Sequence, residues 1–219
     1  MVSWVPAIGV VTATALYAAP HAPVYNAVRA GAAAEKLNVM PAAISVFATL
    51  AWMQYAFVIA DPFLVASNAP GFVLSIAGMS LLLPLLEKDV RLRYVQTALT
   101  VGVSVMTVLW IVITFGNAHH DTIRATLGAV GVCCFMLLCV SPLATIRRVV
   151  CERDAASIYV PLAVAQVVNC ALWVVYGASV ANAFVWIPNA VGASLGVVQV
   201  MLKCALPTPE LSPPPGSSA

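Results

Sequence analysis

The chain has 219 residues, 62% hydrophobic and 8% charged, with a mean hydropathy of +0.98. That composition excludes an ordinary soluble domain, and the length holds about seven spans of roughly 20 residues with no extra soluble catalytic domain. A formal net charge of +2 argues against a nucleic-acid partner.

Apolar runs broken by charge or by Pro/Gly predict seven helices: Val5 to Val28, Val39 to Ile59, Phe63 to Leu86, Val95 to Phe115, Ala125 to Ile146, Tyr159 to Tyr176 and Ala183 to Leu202. Backbone groups in lipid must bond internally, so the expected fold is an all-α membrane protein. The N-terminus lacks the basic region and cleavage site of a signal peptide and reads as the start of the first span. Nine of the ten basic residues follow helices 1, 3, 5 and 7, and Arg124 alone lies on the other side. That bias places the C-terminus in the cytosol and the N-terminus outside or in a lumen.

Helices 2 and 3 repeat in helices 6 and 7. Trp52 and Trp173, Tyr55 and Tyr176, Phe63 and Phe184, Asn68 and Asn189, and Gly71 and Gly192 all stand 121 residues apart, an internal duplication. Helices 1 to 3 (residues 1–94 with the following loop) and 5 to 7 (125–203) form two units. Helix 4 (95–124) has no counterpart. A three-helix unit ends on the side opposite its start, so a single linker span lets the second unit insert in the same direction as the first. The repeats are therefore expected to be parallel, in a three-plus-one-plus-three order. The Pro/Ser-rich tail, 204–219, is expected to be disordered.

Asn68, Gly71, Ser75 and Gly78 share one face of helix 3, as Asn189, Gly192, Gly196 and Gln199 do on helix 7. The small residues fit close helix packing. The two carboxamides, able to donate and accept, suit either a polyhydroxylated solute or buried interhelical bonding. Pro70 and Pro188 beside them either free carbonyls of Ala66 and Phe184 for a binding site or kink the helices harmlessly. Helices 2 and 6 present Ser45, Ala48, Trp52 and Tyr55 against Gln166, Asn169, Trp173 and Tyr176. Two indoles from opposite units can sandwich a sugar ring, although Trp and Tyr also form interfacial belts. Pro20, Pro41, Pro142 and Pro161 lie at one level near the cytosolic helix ends, where hinges would act.

His21 is an intramembrane His, but every Asp and Glu falls in loops or tail, which gives a proton relay little support. Six cysteines, without metal-ligand spacing, read as small core residues. No catalytic, metal or cofactor site is expected: paired carboxylates, HExxH, a Ser nucleophile motif and GxxxxGK are all missing from the sequence.

LWVVYG followed by AFVWIPNAVG, the weaker copy LAWMQYA and SNAPG, and SPLATIRRVV closely resemble the SWEET family of sugar facilitators over about residues 10 to 203. The resemblance implies passive, bidirectional uniport of mono- or disaccharides by alternating access, with no enzyme activity. It puts Asn68 and Asn189 on the family's sugar-binding asparagines and Trp173 on its binding-site Trp, with Trp52 at the matching place in helix 2. Pro20, Pro41 and Pro142 fall on the prolines of the cytosolic gate, and Tyr55 and Tyr176 lie where the outer gate closes. Two departures stand out. Pro161 is displaced from the helix-6 proline position, which Tyr159 occupies, and Asn182 replaces an acidic residue that Asp61 keeps in the first copy. Two indoles favour a glucose-like monosaccharide. The family also implies the plasma membrane or an organelle membrane, lipid as surroundings, and self-association into a homo-oligomer. The alternatives are a seven-helix transporter of another small solute, such as an amino acid, and a seven-helix receptor, which the duplication disfavours.

Overall fold

The structure is a computed structural model that describes residues 4–29, 39–86 and 90–206. It is all-helical among those residues: α1 (Trp4–Ala18), α2 (His21–Arg29), α3 (Val39–Val58), α4 (Pro62–Leu85), α5 (Arg91–Phe115), α6 (His120–Glu152), α7 (Val160–Ser179) and α8 (Ala183–Ala205). With α1 and α2 counted as one span, seven segments are long and apolar enough to cross a membrane. Of the tail expected to be disordered from 204, Cys204 and Ala205 instead complete α8, and the residues beyond 206 lie outside the described set, as do Lys36 and Lys88 of the basic-residue count.

Two helices differ most from the sequence reading. The first predicted helix is interrupted by a turn at Ala19 and Pro20, where proline lacks the N–H that would continue the hydrogen-bond ladder. α6 runs from His120 to Glu152, well past the apolar run at both ends, and takes in Asp121 and Glu152, which the sequence reading put in loops. Hydropathy marks what lipid accepts, whereas a helix continues into water as long as its backbone bonds do.

Within the first repeat, α4 packs against both α1 and α3. In the second, α8 packs in the same way against α6 and α7. The repeats meet along two seams, α1 on α7 and α3 on α6, while α5 packs on α3. The third helix of each repeat is thus central to its own unit and faces its counterpart across the space between them. The two ends of the bundle are called here the tyrosine end, with Tyr55 and Tyr176, and the proline end, with Pro20 and Pro142.

The turns at the tyrosine end are built alike. α3 closes with Ala60 in the left-handed region (φ 53°) and with Asp61 N–H donating to the Ala56 carbonyl at 2.9 Å. α7 closes with Ala181 (φ 51°) and with Asn182 N–H donating to the Gly177 carbonyl at 2.8 Å. A left-handed residue followed by a six-to-one bond terminates a helix and reverses the chain. Asp61 and Asn182 then serve as N-caps of α4 and α8.

Packing follows the same division. Trp52, Tyr55, Leu64, Leu127, Trp173, Tyr176 and Val185 form one buried cluster from both repeats at the tyrosine end. Toward the proline end, Val24, Met79, Leu82 and Leu86 belong to a cluster of the first repeat that also holds Val95 of α5. Val149, Ala155 and Ile158, with Leu202 against them, form a separate cluster of the second.

Candidate functional site

A cavity of about 500 Å³ lies between the repeats. Its walls come from α1, α2, α3, α4, α6, α7 and α8, and it extends from Trp52, Asn68 and Trp173 to Pro20, Pro142, Ser157 and Tyr159 toward the proline end. The buried aromatic cluster closes it at the tyrosine end.

That closure is a pair of crossed hydrogen bonds. The Tyr176 hydroxyl donates to Asp61 Oδ2 at 2.7 Å, and the Tyr55 hydroxyl donates to Asn182 Oδ1 at 2.9 Å. Each tyrosine reaches the N-cap residue of the other repeat. Tyr55, Tyr176, Asp61 and Asn182 are all buried, so these bonds are shielded from competing water. The halves are unequal. Asp61 Oδ1 also accepts from the backbone N–H groups of Phe63 and Leu64, at 3.0 and 3.1 Å, whereas Asn182 makes no side-chain capping bond. Edge-on ring contacts repeat the crossing, Tyr55 with Phe184 and Phe63 with Tyr176, each with centroids 5.9 Å apart. The 121-residue spacing marks both tyrosines and both caps, but the cross-repeat pairing needs the fold to be seen.

Trp52 and Trp173 line the closed end of the cavity from opposite repeats. Each is held edge-on by the tyrosine three residues later, at 5.9 and 5.6 Å. Each indole also lies across the seam on a glycine of the other repeat: an added Cβ on Gly131 would come within 3.2 Å of Trp52, and one on Gly9 within 3.2 Å of Trp173.

The two asparagines are also matched. Asn68 Nδ2 donates to the Leu64 carbonyl at 2.9 Å, and Asn189 Nδ2 donates to the Val185 carbonyl at 2.8 Å. Bonding four residues back fixes the rotamer and turns the remaining amide oxygen outward. Asn68 Oδ1 meets the Tyr17 hydroxyl at 3.5 Å, at the limit of a hydrogen bond. Both asparagines line the cavity. Tyr17, a cavity-lining residue that sequence reasoning missed, fits over Gly71, where an added Cβ would lie 2.5 Å from its ring. The glycine face of α4 and α8 therefore lets aromatic side chains approach closely. Pro70 and Pro188 sit inside α4 and α8, which run unbroken through them.

The four prolines expected to act as hinges occupy different settings. Pro20 lies in the turn between α1 and α2, Pro142 lies inside α6, and both line the cavity. Pro41 is the third residue of α3 and Pro161 the second of α7, where no intrahelical N–H bond is lost. Pro161 lines a separate groove of about 360 Å³ with Thr12, Ala15 and Leu16, while Tyr159 reaches the central cavity. His21 also lines the cavity, with Nε2 2.8 Å from the Leu74 carbonyl. Among the described residues no group of His, Cys, Asp or Glu is placed to hold a metal.

The profile of a family described as "Sugar efflux transporter for intercellular exchange" matches residues 3–89 and 125–210, one stretch for each repeat. A rice (Oryza sativa subsp. japonica) protein, bidirectional sugar transporter SWEET13, is 25% identical over 187 residues, covering 85% of this chain and 62% of the relative. Arabidopsis thaliana bidirectional sugar transporter SWEET10 is 27% identical over 183 residues, 81% of this chain and again 62% of the relative. The chain thus spans somewhat under two thirds of the length of these relatives. A solved eukaryotic SWEET transporter has the same fold, with a TM-score of 0.81 at 20% identity, covering 92% of this chain and 94% of the other.

Proposed function

The chain belongs to the SWEET family of sugar transporters, and from that premise we propose that it is a passive, bidirectional uniporter that moves a glucose-like monosaccharide by alternating access. The observation that carries the reading is the cavity itself, sealed at the tyrosine end and reaching the proline end, with matched Asn and Trp residues where its walls converge. A pyranose has two kinds of surface. Its C–H faces suit the indoles of Trp52 and Trp173, and its hydroxyl rim suits the amides of Asn68 and Asn189. The two indoles narrow the closed end, which favours one ring over two.

Tyr55 and Tyr176 act as the latch of the outer gate. Pro20 and Pro142 act as hinge points of the inner one, with Pro41 fixing the start of α3 and Tyr159, rather than Pro161, standing at the mouth. Arg29, Arg91, Arg93, Arg147, Arg148, Arg153 and Lys203 lie at or beyond the proline end and Arg124 near the other, which supports a cytosolic proline end and an external N-terminus. Plasma-membrane residence and self-association into a homo-oligomer belong to the same reading. Solute binding is modest, since a site that grips tightly slows release.

The test is uptake of labelled glucose by liposomes carrying the purified protein, with and without a pH gradient. Equilibrating uptake that ignores the gradient and disappears in Asn189→Ala is expected. Accumulation driven by the gradient would replace uniport with coupling through His21, and correctly folded protein that moves neither glucose nor sucrose would overturn the sugar reading.

A further inference from the structure

The two asparagines of the cavity are matched in sequence but not in surroundings. Each turns the donor end of its amide into its own helix. Asn68 Nδ2 donates to the Leu64 carbonyl at 2.9 Å, with Ser67 Oγ beside it at 3.1 Å, and Asn189 Nδ2 donates to the Val185 carbonyl at 2.8 Å. The amide oxygen is left for the cavity, so a solute hydroxyl meeting either residue finds an acceptor.

The first repeat adds a phenol beside that acceptor. Tyr17 of α1 lines the cavity, three residues before Pro20, and its hydroxyl is 3.5 Å from Asn68 Oδ1. The ring is held in place on Gly71 of α4, where an added Cβ would come within 2.5 Å of it. The second repeat fills the equivalent places with groups that lack the hydroxyl. Gly71 corresponds to Gly192 at the 121-residue spacing, and the ring seated there is Phe135, whose Cζ would lie 2.9 Å from an added Cβ. For the first helix of each repeat, Gly9 and Gly131, and Pro20 and Pro142, stand 122 residues apart. On that register Tyr17 corresponds to Cys139, a buried thiol and a weak donor.

A phenol has one proton to give and an oxygen that also accepts. At 3.5 Å its bond to Asn68 is at the limit of hydrogen-bond length and is given up at little cost. The seat on Gly71 keeps the hydroxyl beside the amide when that bond is exchanged.

We propose that Tyr17 is a solute contact and that it forms, with Asn68, a two-group subsite for adjacent hydroxyls of the sugar. This rests on the sugar-transport reading above. One solute hydroxyl donates to Asn68 Oδ1, and the released phenol donates to the neighbouring solute oxygen. An acceptor and a donor side by side suit a vicinal diol. An analogue missing one of those hydroxyls leaves the amide or the phenol without its partner, so the pair discriminates against it. Asn189, with an acceptor alone, makes the looser demand from the opposite wall.

The experiment is zero-trans uptake of glucose and of its singly deoxygenated analogues by liposomes carrying wild type, Tyr17→Phe, Gly71→Ala or Asn189→Ala, each checked by thermal melting. Tyr17→Phe removes the hydroxyl and keeps the ring on its seat. It is expected to raise the apparent KM for glucose about fivefold with little change in maximal rate, and to bring the preference for glucose over one particular deoxyglucose toward unity. Gly71→Ala displaces the ring but keeps the hydroxyl; it should move both readouts the same way, and serves as the test if Tyr17→Phe folds poorly. An unchanged KM would overturn the contact, as would a fall in maximal rate and melting temperature alone. A lowered KM would overturn it too, by showing that the phenol competes with the solute for Asn68. All three outcomes leave the Asn pair standing while Asn189→Ala abolishes uptake. A wild type that carries neither glucose nor sucrose would overturn both readings.

Discussion

At the tyrosine end, Tyr55 and Leu64 of the first repeat pack in one cluster with Leu127, Tyr176 and Val185 of the second. At the proline end, Leu82 and Leu86 pack on their own side and Val149 and Ile158 on theirs, with the cavity between. The same duplicated sequence therefore makes a shared core at one end and two private cores at the other. A bundle joined in this way can open its joined end only by breaking contacts between repeats, whereas movement at the split end leaves each private core intact. The arrangement suits the alternating access proposed above, with two rigid units rocking about the space between them.

The comparison breaks most severely if the shared core is emptied. Tyr55→Ala, at a fully buried position, should lower stability by about 4 kcal/mol and loosen both repeats together, whereas Leu82→Ala should cost about 3 kcal/mol and loosen the first repeat. Hydrogen exchange by mass spectrometry, read helix by helix, separates the two patterns. The latch offers a finer cut. Tyr176→Phe removes a bond to a buried carboxylate that also caps α4 and should shift the gate by about 2 kcal/mol, a change of roughly thirtyfold in the ratio of closed to open forms. Tyr55→Phe removes a bond to a neutral amide and should shift it by about 1 kcal/mol. Equal shifts, measured by spin-label distances across the tyrosine end, would show that the Asp/Asn asymmetry is irrelevant.

Asn182→Asp should make the halves alike. It adds a stronger acceptor at the start of α8, where the helix dipole favours negative charge, and should steady the closed end by about 1 kcal/mol in the same distance measurement. The smallest effect concerns the turns. Ala60→Gly and Ala181→Gly relieve left-handed backbone conformations and should each raise stability by about 0.5 to 1 kcal/mol, seen as a higher melting temperature.

Much of this was legible in the sequence because duplication preserves spacing. Trp52, Tyr55 and Asn68 announce their partners at 121 residues, and the structure brings Asn68, Asn189, Trp52 and Trp173 to one cavity. The break at Pro20 was only half legible, because a proline says where a ladder bond is missing but not whether the helix kinks or stops. The latch was hidden for a different reason. Tyr55 has Asp61 six residues away in the chain, yet it bonds Asn182, a choice made by the way the seams bring the repeats together. Asn169 shared a face with Trp173 in the sequence, but its matched position holds Ala48. A search for symmetric pairs passes over such an unmatched position, and its bond to Thr12 became visible only through the α1–α7 contact.

The linker helix α5 is among the most apolar spans, packs chiefly on α3, and places just Val95 and Met106 in the buried set. A helix with so few neighbours must be accepted by the lipid on its own merits as it leaves the translocon. Its sequence is therefore answerable mainly to the insertion machinery during synthesis, and it should tolerate exchange for another apolar span that keeps its length, Gly102 under the Phe47 ring and the contacts of Val95 and Met106.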